Sequence, residues 1–112
     1  MNMKTFKDVN DGDTVYFFKL DDWTGPSDDI KTGTIVESKL YPEDIKYIKV
    51  MTTNKFIFEF EVDITVTNDI DNGFIITTTL DEAKSLYKQY IEQFIEMHHE
   101  AMYRLKERLN VL

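Results

Sequence analysis

The stretch Thr79-Leu80-Asp81-Glu82-Ala83 decides the fold, because it divides the chain into two parts with different periodicity. Before it, short β-type runs alternate with turns, and after it roughly thirty residues follow a helical repeat. Thr79 and Glu82 have the spacing of a capping box, in which the hydroxyl accepts a first-turn N–H and the carboxylate reaches back to the N-cap backbone. The sequence therefore predicts a long C-terminal helix that begins at this junction.

The predicted helix carries two apolar stripes, each repeating at alternating steps of three and four residues. The first stripe consists of Leu80, Ala83, Tyr87, Tyr90, Phe94, Met97 and Ala101. The second stripe consists of Ile91, Ile95, His98, Met102, Leu105, Leu109 and Leu112. At about 100° per residue the two stripes lie roughly 80° apart, and the second takes over where the first ends.

Two interpretations of these stripes are open. In the first, the helix rolls around the β body and buries one wide apolar face. In the second, the first stripe packs on the chain's own β body and the second meets another helix, since a helix of about 45 Å is longer than a small barrel. The second interpretation predicts a homodimer interface formed by Ile91, Ile95, Met102, Leu105 and Leu109. The basic residues near the C-terminus are assigned to the helix dipole.

The part of the chain before the junction predicts five or six short strands. The candidates are residues 14–20, 30–39, 47–51, 56–62 and 74–78, while 64–66 is either a further strand or a turn. Residues 21–29 and 68–73 are predicted as loops, and Gly33 predicts a bulge or sharp bend in the second strand. We therefore predict an α+β fold in a single domain, 1–112. A small β-barrel or strongly bent antiparallel sheet, 1–78, precedes one amphipathic helix, 79–112.

The composition excludes several classes of protein. The chain has 112 residues and no cysteine, which rules out disulfides, thiol nucleophiles and cysteine-based metal sites. No apolar run approaches the roughly 20 residues that a membrane-spanning helix needs. The N-terminus lacks the apolar segment of a secretory signal. We expect a cytoplasmic protein with no membrane partner.

The net charge of −8 disfavours a direct nucleic-acid binder, which needs a basic patch. Residues 8–29 hold seven aspartates against Lys19 alone, and this segment also contains Trp23. An exposed tryptophan beside acids is typical of a contact with a basic protein surface. The predicted partner-binding residues are Asp21, Asp22, Trp23, Asp28 and Asp29. In the alternatives, the charge serves solubility and Trp23 folds back over the barrel.

Motifs for catalysis and cofactor binding are missing from the sequence. Glu96 and His99 have the Glu-x-x-His spacing of di-iron bundles, but such sites need further carboxylates and a second copy of the motif. The four glycines are isolated, so no phosphate-cradling loop is present, and no Gly-x-Ser-x-Gly elbow occurs. We expect no enzymatic activity, no catalytic residues, no bound metal and no cofactor.

Three segments carry a resemblance: Gly12-Asp13-Thr14-Val15-Tyr16, residues 31–36 (Lys-Thr-Gly-Thr-Ile-Val) and Thr79-Leu80-Asp81-Glu82-Ala83. With them, the chain resembles small uncharacterised phage and prophage proteins that have an SH3-like barrel followed by a capped helix. The resemblance implies an SH3-like barrel and a phage context in the host cytoplasm, where small acidic proteins often block host proteins. It implies no catalytic residues.

Three functional hypotheses follow. The first is a non-enzymatic acidic module that binds a basic surface of a host factor, as an inhibitor of a defence or nucleic-acid-processing protein. The second is a structural homo-oligomer assembled through the C-terminal helix. The third is a protein that holds a small ligand between the helix and the barrel.

Overall fold

The computed structural model describes residues 4–21, 25–26 and 29–111, and in these ranges the chain has the predicted α+β architecture. A short 3-10 helix, Phe6–Asp8, precedes the strands. The strands are β1 (Thr14–Asp21), β2 (Gly25–Pro26), β3 (Lys31–Tyr41), β4 (Ile45–Thr52), β5 (Ile57–Asp63), β6 (Asn68–Asp71) and β7 (Phe74–Thr77). Helix α1 spans Leu80–Val111.

The strands form an antiparallel sheet that curls into a nearly closed barrel. Its order is β5-β4-β3-β1-β7-β6, and β2 pairs with β1 outside this path. The two ends of the sheet meet at a seam between β5 and β6. There the Asp71 and Asp69 carboxylates accept hydrogen bonds from the backbone N–H groups of Glu61 (2.9 Å) and Asp63 (3.0 Å). These side chains occupy part of the β5 edge that another strand could otherwise pair with.

The hydrophobic core fills the inside of the curled sheet. Four aromatic rings form its centre, with ring centroids 5.0 to 6.4 Å apart: Phe17, Phe58, Phe60 and Phe74. Aliphatic side chains from β1, β3, β4, β5 and β7 surround them, namely Val15, Ile35, Ile48, Val50, Val62 and Ile76. Phe6 and Val9, at the two ends of the 3-10 turn, close the same core.

Strand β1 is buried on both faces, which explains its apolar run. Phe17 points into the barrel core, whereas Phe18 is buried on the outside, beneath α1. The ring of Phe18 lies 5.1 Å from that of Tyr87 and 6.4 Å from that of Tyr90. Ala83, one turn before Tyr87, is fully buried. The first half of α1 therefore docks on β1, β2 and β7.

The prediction of a loop over 68–73 was wrong. Asn68–Asp71 forms β6, which pairs with β7 through the two-residue turn Asn72–Gly73. Both turn residues have positive φ, 52° and 79°, as a tight hairpin requires. The Asn-Gly pair was the available sequence signal. Residues 64–66, left open between strand and turn, contain a turn and no strand.

Gly33 lies in β3 as predicted, but it does not form the bulge. The register shift between β3 and β4 falls between Ile35 and Glu37. Gly33 is instead required by close packing, because a Cβ there would stand 2.1 Å from Cγ1 of Val50 and 3.2 Å from Cε1 of Phe17. The core thus occupies the space that a side chain at this position would need.

The junction at Thr79 contains one half of the predicted capping box. The backbone N–H of Glu82 donates to the Thr79 hydroxyl at 3.3 Å, and the N–H of Ala83 donates to the Thr79 carbonyl at 3.2 Å. The Glu82 carboxylate does not reach back to the N-cap. It accepts from the Thr67 hydroxyl at 2.7 Å and from the Asn68 side chain, so it ties the helix start to the beginning of β6.

Candidate interaction surface

The second half of α1 extends beyond the β body. The molecule measures 60 × 30 × 27 Å, and a helix of 32 residues is about 48 Å long, so α1 sets the long dimension. From Ile95 to Val111 every residue is exposed, whereas several residues between Ala83 and Phe94 are buried or half-buried. The interpretation in which the whole helix rolls around the body was therefore wrong. The body is too small to cover 32 residues, and the helix leaves it after about four turns.

The exposed segment displays the apolar residues of the second stripe. Ile95, Met102, Leu105 and Leu109 are 58 to 69% exposed, and Ile91, at the edge of the docked half, is half-buried. Monomeric proteins rarely expose a continuous apolar strip of this kind, and such strips mark interaction sites. We call residues Ile91–Leu109 the projecting segment, and its second-stripe side chains the apolar strip.

Charged side chains divide the projecting segment into an acidic and a basic portion. The portion nearer the body carries Glu92, Glu96 and Glu100 and no lysine or arginine, while the tip carries Arg104, Lys106 and Arg108 with Glu107. Two pairs link residues one turn apart. Lys88 lies 3.9 Å from Glu92, and Arg104 donates to Glu100 at 2.7 Å. Such exposed pairs contribute about 0.3–0.5 kcal/mol each to the helix.

The sequence interpretation missed part of this pattern, because it assigned the three basic residues to the helix dipole alone. Their separation from the three glutamates, along the same helix as the apolar strip, was visible in the sequence. Arg108 lies in the last turn and also suits the dipole. Arg104 and Lys106 lie further inside the helix, where the dipole no longer accounts for their placement.

The predicted acidic partner site is only partly described. Asp22, Trp23 and Asp28 lie outside the described residues. Asp21 ends β1, where it pairs with Gly25 of β2, and Asp29 is exposed just before β3. The segment 21–29, predicted as a loop, therefore contains the short strand β2. The role of these five residues stays a prediction.

Other acidic residues of the segment 8–29 contribute to contacts within the body. The Lys46 ammonium is buried and donates to the backbone carbonyls of Phe6 and Val9. Burial lowers the pKa of Lys46, and the nearby carboxylates, Asp11 first, oppose this shift. The negative charge at this end of the barrel thus partly serves to stabilise the buried ammonium of Lys46.

Asp13 also takes part in the local structure of the barrel. Its carboxylate accepts a hydrogen bond from the Asn10 backbone N–H at 2.8 Å and lies 3.6 Å from the Lys4 ammonium. The backbone hydrogen bond, and then the lysine, lower the pKa of Asp13. This carboxylate closes the turn before β1, so its negative charge has a structural use.

The outer face of β4 and β5 carries a polar network. The Tyr47 hydroxyl donates to the Glu59 carboxylate at 2.6 Å, and Lys49 lies between Glu59 (3.9 Å) and Glu37 (3.4 Å). The hydrogen bond to Glu59 raises the pKa of Tyr47 to about 12. A tyrosine whose pKa is raised is a poor acid at neutral pH, so this network suits a structural role better than proton transfer.

The described residues show no cluster of three or more His, Cys, Asp or Glu side chains suited to a metal ion. In the same part of the chain, every helix is too short or too polar to cross a membrane. No protein-family model, curated protein or solved structure matches this chain. Among the described residues, exposed large apolar side chains are most numerous on the projecting segment.

Proposed function

We propose that this protein is a non-enzymatic interaction module that self-associates through the projecting segment of α1. One observation carries the proposal: second-stripe side chains that are more than half exposed continue along the helix after it has left the body. Burying such residues against a matching helix removes apolar surface from water. A second copy offers the same strip, and two-fold pairing of one patch with itself is the commonest form of oligomer.

In this proposal the β body is a scaffold that fixes the start of the helix. The strongly curled antiparallel sheet and its bulge support the further proposal of an SH3-like barrel. The Thr79 cap, the Glu82 contacts to Thr67 and Asn68, and the Phe18 contact with Tyr87 hold the first half of α1 in place. Because the docked half is already fixed, the helix loses less conformational entropy when a partner binds the projecting half.

A role as a phage-encoded inhibitor of a host protein remains a further proposal. The acidic site predicted for this role includes Asp29, which is exposed in the structure and therefore accessible to a basic partner. The projecting segment would then serve to present two acidic sites in one dimer, which raises the effective affinity for a repeated target.

Sedimentation velocity tests self-association directly. Wild type should shift from monomer to dimer between about 1 and 100 μM, as expected for a Kd of about 10 μM, or a binding free energy of about −7 kcal/mol. Leu105→Glu should remain monomeric, because it places a carboxylate in the apolar strip of both copies. Tyr103→Glu, an exposed position on another face of the helix, serves as the control and should dimerise. A wild-type protein that stays monomeric over the whole range would refute the proposal.

A further inference from the structure

We infer that the second copy binds the projecting segment antiparallel, with Ile95 opposite the partner's Leu105 and the two β bodies at opposite ends. This inference rests on the proposed self-association and adds its orientation and register. Three independent features of the projecting segment agree on the same register: the order of its apolar residues, the order of its charges, and the placement of one arginine and one alanine.

The apolar strip matches itself when one copy is reversed. Its residues occupy a and d positions of a heptad, with Ile95, Met102 and Leu109 at a, and Ile91, His98 and Leu105 at d. In the antiparallel register, Ile91 meets the partner's Leu109, Ile95 meets the partner's Leu105, and Met102 meets the partner's His98. Each layer then contains at least one exposed aliphatic side chain, and no Lys, Arg, Asp or Glu enters the strip.

The charges beside the strip are complementary in this register. Glu92 and Lys106 occupy e positions, whose side chains flank the apolar seam and set the orientation of coiled coils. Reversing one copy brings Glu92 beside the partner's Lys106, and the symmetry repeats the contact at the other end. More broadly, the acidic portion of each segment lies along the basic tip of its partner. This arrangement brings opposite charges together at both ends of the contact.

The opposite flank is also consistent with the antiparallel register. Phe94 and Arg108 occupy g positions, so the Arg108 guanidinium reaches the partner's Phe94 ring, a pairing that favours cation–π attraction. Ala101 lies near the two-fold axis, beside the partner's Ala101. Its small side chain lets the two helices approach closely at the centre of the contact.

A parallel dimer would lose these agreements. Each acidic portion would lie beside the partner's acidic portion, and the basic tips would lie beside each other, which adds repulsion at both ends. Glu92 and Lys106 are 14 positions apart in the sequence and would not meet in a parallel pair. Both β bodies would also crowd one end of the contact. The charge order therefore selects the antiparallel partner.

A charge-swap experiment tests the register in the intact 112-residue chain. Glu92→Lys places a lysine beside the partner's Lys106 at both ends, and we expect the dimer Kd to rise about three- to thirty-fold. Lys106→Glu should weaken the dimer to a similar extent. The double variant E92K/K106E restores opposite charges and should return the Kd to within about threefold of wild type. Glu107→Lys is the control, because it makes the same charge change on the face that points away from the partner.

Disulfide trapping gives an independent measure of orientation, since the natural chain has no cysteine. Ile95→Cys and Leu105→Cys proteins should form a covalent dimer when they are mixed and oxidised, and little when each is oxidised alone. A parallel pair would instead trap each variant with itself.

The outcomes separate the inference from the proposed function. Rescue by E92K/K106E together with trapping in the mixture supports the antiparallel register. A dimer that is not rescued by the double variant, or that traps Ile95→Cys with itself, overturns the register but leaves self-association standing. A monomeric wild type overturns both.

Discussion

Two methionines of α1 allow a closely matched test of the apolar strip. Met102 belongs to the strip, whereas Met97, one and a half turns earlier, lies on a different face of the same helix. Both are exposed in the monomer, at 58% and 67% respectively. Met102→Glu and Met97→Glu therefore make the same chemical change in similar surroundings, and we expect Met102→Glu alone to dissociate the dimer.

The magnitude follows from the surface that dimerisation covers. Full burial of a methionine side chain stabilises by about 1.5–3 kcal/mol, and the exposed fraction of Met102 leaves about 1–2 kcal/mol to be gained on binding. Both copies lose this contribution, which amounts to about 2–4 kcal/mol per dimer, and a tenfold change in Kd corresponds to about 1.4 kcal/mol. We expect Met102→Glu to raise the Kd about 30- to 1,000-fold, and the cost of covering two carboxylates adds to this.

Sedimentation equilibrium at several concentrations measures the Kd of the three proteins. Thermal unfolding followed by circular dichroism, at a protein concentration well below the wild-type Kd, checks that the β body is intact. Under these conditions all three proteins are monomeric, and both variants should retain the wild-type transition because both methionines are exposed. Met97→Glu should keep the Kd within about threefold of wild type, as a substitution outside the contact does.

Equal effects of the two substitutions would contradict the reasoning. If both weakened the dimer equally, the contact would not be confined to the strip. If neither did, the strip would lie outside the interface, even though the protein dimerises.

Two further predictions concern the β body. Gly33→Ala should lower the free energy of unfolding by about 1–3 kcal/mol, because the new Cβ overlaps Val50. In chemical denaturation, the double variant G33A/V50A should lose less stability than the sum of the losses in the two single variants. Losses that add within about 0.5 kcal/mol would contradict the overlap. Glu59→Gln should bring the pKa of Tyr47 down from about 12 toward 10, as followed by NMR of labelled tyrosine. Since the pKa of Tyr47 is higher in the folded than in the unfolded protein, its hydrogen bond to Glu59 stabilises the fold below about pH 10. This stabilisation is lost as the pH rises through 12. An unchanged Tyr47 pKa in Glu59→Gln would assign the shift to another cause.

The elements with a strong local signal were predictable from sequence. The helix start at Thr79 was correct, since a hydroxyl N-cap followed by a helical repeat needs no tertiary contact to be recognised. Strands β1, β3, β4, β5 and β7 followed from their β-branched and aromatic runs. Strand β6 was missed because its Asn-Asp-Ile-Asp sequence is polar, and its pairing with β7 depends on a partner and on the Asn-Gly turn.

The candidate site was predictable in its residues but not in its exposure. The sequence identified the second stripe as a possible contact between copies, and periodicity alone could not show whether the body covers it. The hydrogen-bond partners of the Glu82 carboxylate could not be predicted from the sequence either. Its partners, Thr67 and Asn68, lie about 15 positions away and meet it only when β6 folds beside the helix start.

The sequence by itself determined where the helix begins, which of its residues are apolar and how its charges are ordered, because these properties depend on neighbours within a few turns. Only the tertiary structure decided which part of that helix is free. Phe94 is the last half-buried residue of α1, and the aromatic contact of Phe18 with the helix involves Tyr87 and Tyr90, within its first half. From Ile95 onward, the same apolar periodicity that holds the first half of α1 to the body is left open to a second copy.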